Sequence, residues 1–285
     1  MKFGVSLFPL RPNQIVEVAL KAEELGYDSV WLGEHVVTPM QHDSSFPYAG
    51  EQRSSHDNFH GTIPFYDPYA VLGYLAALTE NLKLAVSISI VPLHDPFHLA
   101  RSVTTLDLFS NGRFLFGMGG GWLKEEFDIL GRDFQTRGKR FNETIEVMTQ
   151  LFTNEVTEYS GETMVVPPVG MAPKPQSQPH PPFIFGGHSR AALRRTAKYG
   201  DGWLATEATP EEIAGLKKQL DEFRAEEGRE KHPCEISCHI NESPSPDLIE
   251  RYAEAGVERL VIRNWPRGRD AVDCITRLAE EIGPL

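Results

Sequence analysis

The sequence has few cysteines, no long apolar run and fewer basic than acidic residues. Cys234, Cys238 and Cys274 are its only cysteines, too few for a disulfide framework and without the Cys-x-x-Cys spacing of zinc and redox motifs. We expect reduced thiols packed in the core. No apolar run approaches the roughly 20 residues that span a bilayer, and the start of the chain lacks the pattern of a secretory signal. We predict a cytoplasmic protein that does not bind membranes.

The charge balance limits the partners further. The 285 residues include 28 Lys and Arg against 40 Asp and Glu, which gives a net charge of −12. A nucleic-acid-binding surface needs clustered Lys and Arg to neutralise phosphates. We therefore expect no nucleic-acid partner and predict an enzyme that acts on a small organic substrate.

What the chain does contain is an alternation of short apolar runs with amphipathic helical stretches. Short continuous apolar runs are typical of parallel strands buried on both faces, and their alternation with helices is typical of an α/β barrel. Eight runs are predicted as strands: Phe3 to Phe8, Asp28 to Leu32, Leu82 to Val91, Arg113 to Met118, Phe183 to Phe185, Gly202 to Ala205, Glu235 to Ile240 and Arg259 to Ile262. The predicted fold class is α/β, with a single (β/α)8 TIM barrel over residues 1–285.

Two segments interrupt the alternation and are predicted as insertions. Residues 33–67 form a long polar stretch rich in His and Ser, and loops of this length are usually functional. In residues 154–182, a hairpin pattern around Ser160-Gly161 precedes a proline-rich run. We predict a surface insertion at the second segment and a lid at the first.

Glycines follow the fourth predicted strand, where TIM barrels place active-site residues. Gly119, Gly120 and Gly121 allow a ligand to approach the backbone closely, and Trp122 offers an aromatic wall. Their spacing matches neither a P-loop nor Gly-x-Gly-x-x-Gly. A cofactor-binding turn and an ordinary tight turn both fit these residues.

A second glycine pair follows the fifth predicted strand and precedes a predicted helix over 190–199. The residues between strand and helix are Gly186, Gly187, His188 and Ser189. Amides at a helix N-terminus bind anions, and barrels often bind phosphate on their later loops. These residues, with positive charge from His188 and Arg190, are candidates for a phosphate site. Helix capping by Ser189 with solvated arginines is the alternative.

Glu34 and His35 follow the second predicted strand and are the candidate catalytic residues. A histidine at this rim exchanges protons or donates hydrogen bonds near neutral pH. The alternative is a structural Glu-His pair that orients a loop.

Other chemistries receive less support from the sequence. Two histidine pairs have the spacing of metal ligands on a helix: His56 with His60, and His94 with His98. Pro96 interrupts the second pair, and glycine and proline near the first argue against a helix there. The sequence contains no Gly-x-Ser-x-Gly elbow, the motif that would indicate a serine hydrolase. We predict no metal site, and we interpret Arg137 and Arg140 as a solvated helix start or as contacts to an acidic ligand tail.

Four stretches carry a resemblance to a known family. They are Ala22 to His35, Pro92 to Pro96 followed by Ala100 and Leu106-Asp107, Ser110 to Phe114 running into the glycine turn, and Ala197 to Trp203. On these residues, and over nearly its whole length, the chain resembles the bacterial luciferase-like monooxygenase superfamily, particularly its branch of coenzyme F420-dependent oxidoreductases.

The resemblance implies where a cofactor binds. The flavin or deazaflavin ring of the family lies across the barrel mouth, against a third-strand bulge that commonly contains a non-prolyl cis peptide. By resemblance that bulge falls at Ser87-Ile88. The phosphate site of the family maps onto residues 186–189, and its glycine turn maps onto residues 119–121.

Two positions differ from relatives in the family. Members often carry an Asp-His pair after the second strand, where this chain has Glu34-His35, and His35 is the better match. F420-dependent glucose-6-phosphate dehydrogenases place a glutamate proton donor where Trp122 stands, which disfavours oxidation of a sugar phosphate. Trp122 instead suits packing against a ring or an apolar substrate.

The resemblance implies an F420-dependent oxidoreductase that transfers a hydride between the deazaflavin and a small organic substrate, and a homodimer. An FMN-dependent two-component monooxygenase, supplied by a separate flavin reductase, is the nearest alternative. A non-catalytic cofactor- or partner-binding barrel is the alternative from another class, and it predicts a blocked barrel mouth.

Overall fold

The computed structural model describes residues 1–47 and 61–283. Its strands are β1 (Lys2–Ser6), β2 (Ser29–Leu32), β3 (Lys83–Val86), β4 (Ser89–Ile90), β5 (Phe114–Gly119), β6 (Thr157–Ser160), β7 (Val165–Val169), β8 (Phe183–Gly186), β9 (Gly202–Thr206), β10 (Glu235–Ile240) and β11 (Arg259–Ile262). Its α-helices are α1 (Pro12–Glu24), α2 (Pro68–Ala76), α3 (Pro96–Phe109), α4 (Lys124–Ile129), α5 (Arg137–Thr153), α6 (Arg190–Tyr199), α7 (Pro210–Glu226), α8 (Pro246–Glu254) and α9 (Ala271–Ile282). None of the helices in the described ranges is both long and apolar enough to cross a membrane.

The parallel strands close into a barrel, as the apolar runs predict. The sheet runs in the order β3-β2-β1-β11-β10-β9-β8-β5-β4, and pairing between β3 and β5 closes it. Because all of these pairings are parallel, the carboxyl ends of the strands meet on one side. The (β/α)8 barrel predicted from the sequence is confirmed.

The third barrel strand is broken, whereas the sequence predicts one continuous strand over Leu82 to Val91. It divides into β3, β4 and a 3-10 turn over Val91–Leu93. The peptide bond between Ser87 and Ile88, in the gap, is cis. The prediction of a continuous strand was wrong because residues on both sides of the gap are apolar and no residue type marks the break.

Helix ends follow local capping chemistry. Apolar periodicity in the sequence predicts a helix over Ala100 to Phe109. α3 begins four residues earlier, at Pro96, because Asp95 accepts hydrogen bonds from the N–H groups of Phe97 and His98. Pro96 therefore occupies the first turn of α3. His94 lies before the helix, so it is not on the same helix as His98. The short helix α4 was not predicted.

The barrel is filled and covered by apolar side chains. A small cluster lies inside the barrel and consists of Trp31, Ala85, Leu115, Ile184, Leu204 and Val261. A larger cluster packs the helices against the outside of the strands. The inner cluster leaves the carboxyl ends of the strands available for a site.

The two predicted insertions differ in structure. Residues 33–47 and 61–67 contain neither helix nor strand, and the lid stays a prediction. Within 154–182, β6 and β7 pair as an antiparallel hairpin, as the sequence predicts. The carboxylate of Glu143 accepts hydrogen bonds from the N–H groups of Glu162, Thr163 and Met164 and so fixes the hairpin turn to α5.

Candidate active site

A cavity of about 1780 Å³ lies where the barrel strands end at their carboxyl side. It is lined by all of the residues predicted for the site: Glu34, His35, Ser87, Ile88, Gly119, Gly120, Gly121, Trp122, Gly186, Gly187, His188 and Ser189. The structure thus brings together residues that are up to 155 positions apart in the sequence. Their individual roles stay predictions.

Ile88 is the centre of the cavity floor. A Cβ atom on Gly119 would lie 2.1 Å from Cδ1 of Ile88, and one on Gly186 would lie 2.9 Å from its Cγ2. Both distances are below 3.0 Å, so a side chain at either glycine would force Ile88 to move. The two glycine segments therefore leave room for Ile88, which the third-strand bulge places between them.

His35 is held by a carboxylate that the sequence analysis does not single out. Its Nδ1 lies 2.8 Å from Oε2 of Glu126, whose side chain is 1% exposed. Oε1 of the same carboxylate accepts hydrogen bonds from the N–H of Val36 at 2.7 Å and of Val37 at 3.3 Å. Glu126 therefore fixes both the imidazole and the backbone that follows it.

The contact with Glu126 assigns the tautomer of a neutral His35. Because a carboxylate accepts from Nδ1–H, the proton lies on Nδ1 and Nε2 is the basic nitrogen. The rings of Phe65 and Trp122 meet the imidazole edge on, with centroids at 4.9 and 6.1 Å. An imidazole held in one tautomer at a cavity suits proton exchange with a bound ligand.

Glu34 makes its carboxylate contacts with the broken third strand. Its Oε2 accepts a hydrogen bond from the N–H of Ile90 at 2.8 Å and lies 2.9 Å from Nε2 of His94. The residue is buried. These contacts give Glu34 a positioning role on β4, next to the Ser87-Ile88 bulge, while the catalytic role stays a prediction.

The Glu34–His94 pair predicts that stability depends on pH. Burial alone would lower the pKa of His94, but the hydrogen bond and charge of Glu34 outweigh it and raise the pKa. A raised folded-state pKa means that the pair stabilises fully below the unfolded-state pKa, and that this contribution is lost as pH rises through the folded-state pKa. His94→Gln is therefore expected to lower the free energy of unfolding more at about pH 6 than at about pH 9, measured by urea denaturation.

His98→Gln is the control for this measurement, because the side chain of His98 is 94% exposed and lies near Asp95 at a helix start. Its effect is expected to be small at both pH values. A loss for His94→Gln that is equal at the two pH values would contradict a charged pair with Glu34.

The predicted phosphate segment leads into α6. Oγ of Ser189 accepts a hydrogen bond from the N–H of Ala192 at 3.2 Å and caps the helix. Nε2 of His188 accepts a hydrogen bond from the N–H of Thr206 at 2.9 Å, and burial lowers the pKa of His188. His188 is therefore a neutral imidazole near pH 7 and not the source of positive charge that the sequence suggests.

Positive charge at this end of the cavity comes from Arg137 and Arg195. Both line the cavity, and burial lowers the pKa of both guanidiniums, with the charge of Arg137 as the next cause at Arg195. Nε of Arg195 donates to Oδ1 of Asn142 at 2.6 Å. Within residues 1–47 and 61–283, neither guanidinium has a carboxylate partner.

Two other arginines named from the sequence lie elsewhere. Arg190 packs over the ring of Phe223, with 5.1 Å from Cζ to the ring centroid, and Arg140 donates to Oγ1 of Thr136 at 3.3 Å. Neither lines the cavity. Arg190 therefore does not line the cavity next to residues 186–189 as the sequence suggests, whereas Arg195, further along α6, does.

Aromatic rings line the side of the cavity near β1 and β2. Phe8 stacks on Phe65 with centroids 5.0 Å apart and 27° between the planes. We call Phe8, Phe65 and Trp122, all of which line the cavity, the aromatic wall. It offers an apolar, water-excluding surface to the planar part of a ligand.

No group of three or more metal-ligating side chains occurs among the residues that the structure describes. His94 is bound to Glu34, whereas His98 is exposed, so the two do not form a ligand pair. His56 and His60 lie outside the described residues.

Two signals in the sequence could have located the missed residues. Glu126 lies among Leu123, Phe127 and Leu130, at the spacing of the buried face of a helix, where an acidic residue needs a partner. Arg263 directly follows a barrel strand, as TIM-barrel site residues do. Arg195 gives no such signal, because an arginine in a helix is usually solvated.

The family model described as luciferase-like monooxygenase matches residues 1–272 of the chain. Together with the closed barrel and the cavity at its carboxyl side, this shows that the chain belongs to the luciferase-like monooxygenase family. The resemblance stated from the sequence is confirmed. Members are oxidoreductases or monooxygenases that depend on F420 or flavin.

Individual relatives include F420-dependent proteins. An uncharacterized protein of Mycobacterium tuberculosis is 30% identical over 285 residues, 99% of each chain. An F420-dependent glucose-6-phosphate dehydrogenase of Amycolatopsis mediterranei is 27% identical over 202 residues, 68% of this chain and 54% of that protein. The structure of an F420-dependent secondary alcohol dehydrogenase in complex with an F420-acetone adduct has the same fold, with a TM-score of 0.79 and 19% identity over 99% of both chains.

Proposed function

We propose that the protein is an F420-dependent oxidoreductase that transfers a hydride between the deazaflavin and a small organic substrate. The observation that carries this proposal is the cavity itself. It combines two arginines that have no carboxylate partner within the described ranges, an apolar surface at Ile88 and the Glu126–His35 pair. F420-dependent relatives support the choice of cofactor.

The chemistry of the donor groups fits a phosphate-bearing cofactor. Arg137 and Arg195 have no carboxylate partner in residues 1–47 and 61–283, and Arg195 belongs to α6, whose N-terminal amides and dipole also favour negative charge. Both F420 and FMN carry a phosphate, but F420 adds an anionic oligoglutamate tail. A second guanidinium beside the first favours the more highly charged cofactor.

Each group of residues has a distinct task in this proposal. Arg137, Arg195 and the first amides of α6 would hold the phosphate, and Ile88, packed against Gly119 and Gly186, would offer the ring an apolar surface. The bound deazaflavin supplies or accepts the hydride at C5. Reduction of an organic substrate also requires one proton, which the doubly protonated imidazolium of His35 would donate from Nε2; in the reverse direction, Nε2 of the neutral imidazole would accept the proton. The aromatic wall excludes water from the substrate.

An FMN-dependent monooxygenase is the second candidate, favoured by the family description and by the phosphate site that both cofactors share. A separate flavin reductase would be its partner. A non-catalytic barrel predicts a blocked mouth, and a cavity of about 1780 Å³ argues against it. A homodimer and a cytoplasmic location stay predictions.

Substrate-dependent oxidation of reduced F420 in the absence of oxygen tests the proposal. Purified protein is mixed with reduced F420 and a panel of organic carbonyl compounds and activated alkenes, and the oxidised cofactor and the reduced product are quantified. We expect equal amounts of the two. Turnover only with reduced FMN and oxygen, yielding an oxygenated product, would replace the proposal by the second candidate.

Arg195→Gln is expected to weaken binding of F420 by about 10-fold or more, because a charge-assisted hydrogen bond contributes roughly 1.5–3 kcal/mol. Fluorescence titration of the deazaflavin measures the dissociation constant. Arg190→Gln is the matched control, since it removes the same charge from the same helix at a position outside the cavity. Equal losses in the two variants would show a general electrostatic effect rather than a phosphate contact.

A further inference from the structure

Arg263 lies on the cavity rim well away from the phosphate end. It directly follows β11, which is three strands from β8 in the sheet order, and it lines the cavity. Its Nε donates to Oδ1 of Asn241 at 2.9 Å. Asn241 follows β10, and its Nδ2 donates to Oε1 of Glu207, which follows β9. The ends of three adjacent strands thus hold the guanidinium in place.

The two Nη groups of Arg263 have no acceptor among the residues that the structure describes. Nε makes the hydrogen bond to Asn241, and neither Nη atom is sealed from solvent without a partner. Burial lowers the pKa of Arg263, with the charge of Glu207 opposing this shift. A partly desolvated guanidinium, fixed through Nε and open at its outer edge, has the geometry that binds a carboxylate with two parallel hydrogen bonds.

The arginine at the opposite end of β11, Arg259, has a structural role and provides a comparison for Arg263. Arg259 begins the strand and is 1% exposed, and its guanidinium bonds to carboxylates of Asp28 and Glu235. Among the residues that the structure describes, the guanidinium of Arg263 bonds only to the side-chain amide of Asn241. Within that part of the chain no carboxylate pairs with Arg263, which indicates that a ligand supplies its anion.

The cavity lining is less acidic than the chain as a whole. Four arginines and three glutamates line the cavity, in a chain with a net charge of −12. Two of the arginines belong to the phosphate end, and one glutamate, Glu34, is paired with His94. The remaining arginines and glutamates of the lining are Arg11, Arg263, Glu207 and Glu212, whose charges balance, so an anion would be held by the free edge of Arg263 rather than by a net positive charge.

The charge of Glu207 distinguishes between classes of anion. Glu207 acts on the guanidinium of Arg263 and would repel a phosphate dianion more strongly than a monoanion. One guanidinium edge can bind two oxygens of a carboxylate or of a phosphate, so the preference for a carboxylate comes from the charge of Glu207. The aromatic wall lines the same cavity and suits an apolar body.

We propose that the substrate is an organic acid with an apolar or aromatic body, and that its carboxylate binds the Nη groups of Arg263, which Asn241 holds in place. This inference rests on the proposed oxidoreductase function, because it identifies the class of substrate that enters the same cavity. Arg263 orients the acid, and the aromatic wall receives the part of the molecule that reacts.

Matched acids and amides test the inference. Phenylacetate, cinnamate and hexanoate are titrated calorimetrically against the full-length protein, with and without saturating F420, beside their primary amides and benzylphosphonate. We expect at least one acid to bind about 10-fold or more tightly than its amide. Arg263→Gln is expected to remove that preference. Arg263→Lys is expected to retain part of it, because an ammonium group keeps the charge but lacks the two parallel N–H donors of a guanidinium edge.

Arg267→Gln is the control, since Arg267 lies on the same loop but is exposed, paired with Asp270 and outside the cavity. It is expected to bind the acids like the unmodified protein. Thermal unfolding checks that the variants are folded. If Arg263→Gln does not fold, Arg263→Lys is used in its place to measure the loss of the preference for acids. Equal binding of acids and amides, or an acid preference that survives both Arg263 substitutions, would overturn the inference. Tighter binding of benzylphosphonate than of every acid would overturn the assignment to carboxylates.

The outcomes separate this inference from the proposed function. If F420 binds but acids show no Arg263-dependent preference, the oxidoreductase proposal stands and the organic-acid substrate is contradicted. If acids show an Arg263-dependent preference but F420 does not bind, the carboxylate site stands and the deazaflavin cofactor is contradicted.

Discussion

Glu126→Gln is expected to lower turnover by about 10- to 100-fold while the protein stays folded, as is typical when a residue that orients a catalytic imidazole is changed. A carboxylate accepts from Val36, Val37 and Nδ1–H of His35 at once. An amide has only one acceptor atom. If that oxygen keeps the backbone contacts, the amide N–H₂ group faces Nδ1 of His35 and favours the opposite tautomer, with the proton on Nε2.

Two measurements follow this change separately. Imidazole ¹⁵N resonances report the tautomer of His35 without a substrate, and steady-state assays with the substrate found in the screen report kcat and KM. We expect the tautomer to invert and kcat to fall more than KM rises, because proton exchange occurs after substrate binds. Since Glu126 acts through the imidazole, Glu126→Gln should have little further effect in a His35→Gln background.

Glu125→Gln is the matched control for this prediction. Oε1 of Glu125 accepts hydrogen bonds from the N–H groups of Asp43 and Ser44, so it holds another part of the same loop without contacting His35. It should leave the tautomer unchanged. Inversion in both variants would show that loop displacement, and not the Glu126 contact, governs His35. Full additivity with His35→Gln would contradict the positioning role.

Arg259→Met is expected to lower the free energy of unfolding by about 3–5 kcal/mol, the usual cost of removing one partner from a buried ion pair. The guanidinium of Arg259 donates to Asp28 at 2.8 Å and also to Glu235, and it lies 5.7 Å from the ring of Trp31. Methionine preserves the length of the side chain but removes the buried cation that joins the two carboxylates, so Asp28 keeps only Lys83 and Glu235 keeps only Lys2 as an ion-pair partner among the described residues. Urea denaturation at pH 7 measures the loss.

The loss should become smaller in acid. Burial alone would raise the pKa of Asp28, but Arg259 and Lys83 outweigh it and lower the pKa. The stability that comes with this lowered pKa is present above the unfolded-state pKa and disappears as pH falls through the folded-state pKa. The difference between the unmodified protein and Arg259→Met should therefore shrink toward about pH 4.

Arg251→Gln controls for loss of an arginine as such. Arg251 and Glu211 form an ion pair in which the side chains are 47% and 68% exposed, and pairs of this kind contribute about 0–1 kcal/mol. A loss for Arg259→Met no larger than for Arg251→Gln would contradict the structural role of Arg259.

Most of the barrel could be predicted from the sequence because parallel strands buried on both faces leave continuous apolar runs. The predicted strands Glu235 to Ile240 and Arg259 to Ile262 agree with the structure at both ends. The break at Ser87-Ile88 could not be read from residue types, and only the family resemblance pointed to it. Local capping explains the other error, since Asp95 and Pro96 start α3 before its apolar periodicity begins.

The candidate site was predictable where residues follow strands, and less so where helices supply them. His35 and residues 186–189 come directly after strands and line the cavity as expected. Glu126 and Arg195 reach the site from α4 and α6, and a charged residue in a helix is usually solvated. Only tertiary packing shows that one is buried against His35 and that the other faces the cavity.

Titration of the purified protein with F420 and FMN, each in oxidised and reduced form, decides whether this cavity is a deazaflavin site. Ring fluorescence or calorimetric heat gives the four dissociation constants under one set of conditions. We predict micromolar or tighter binding of F420 and much weaker binding of FMN. A preference for reduced FMN, or binding of neither cofactor, would contradict the F420-dependent oxidoreductase.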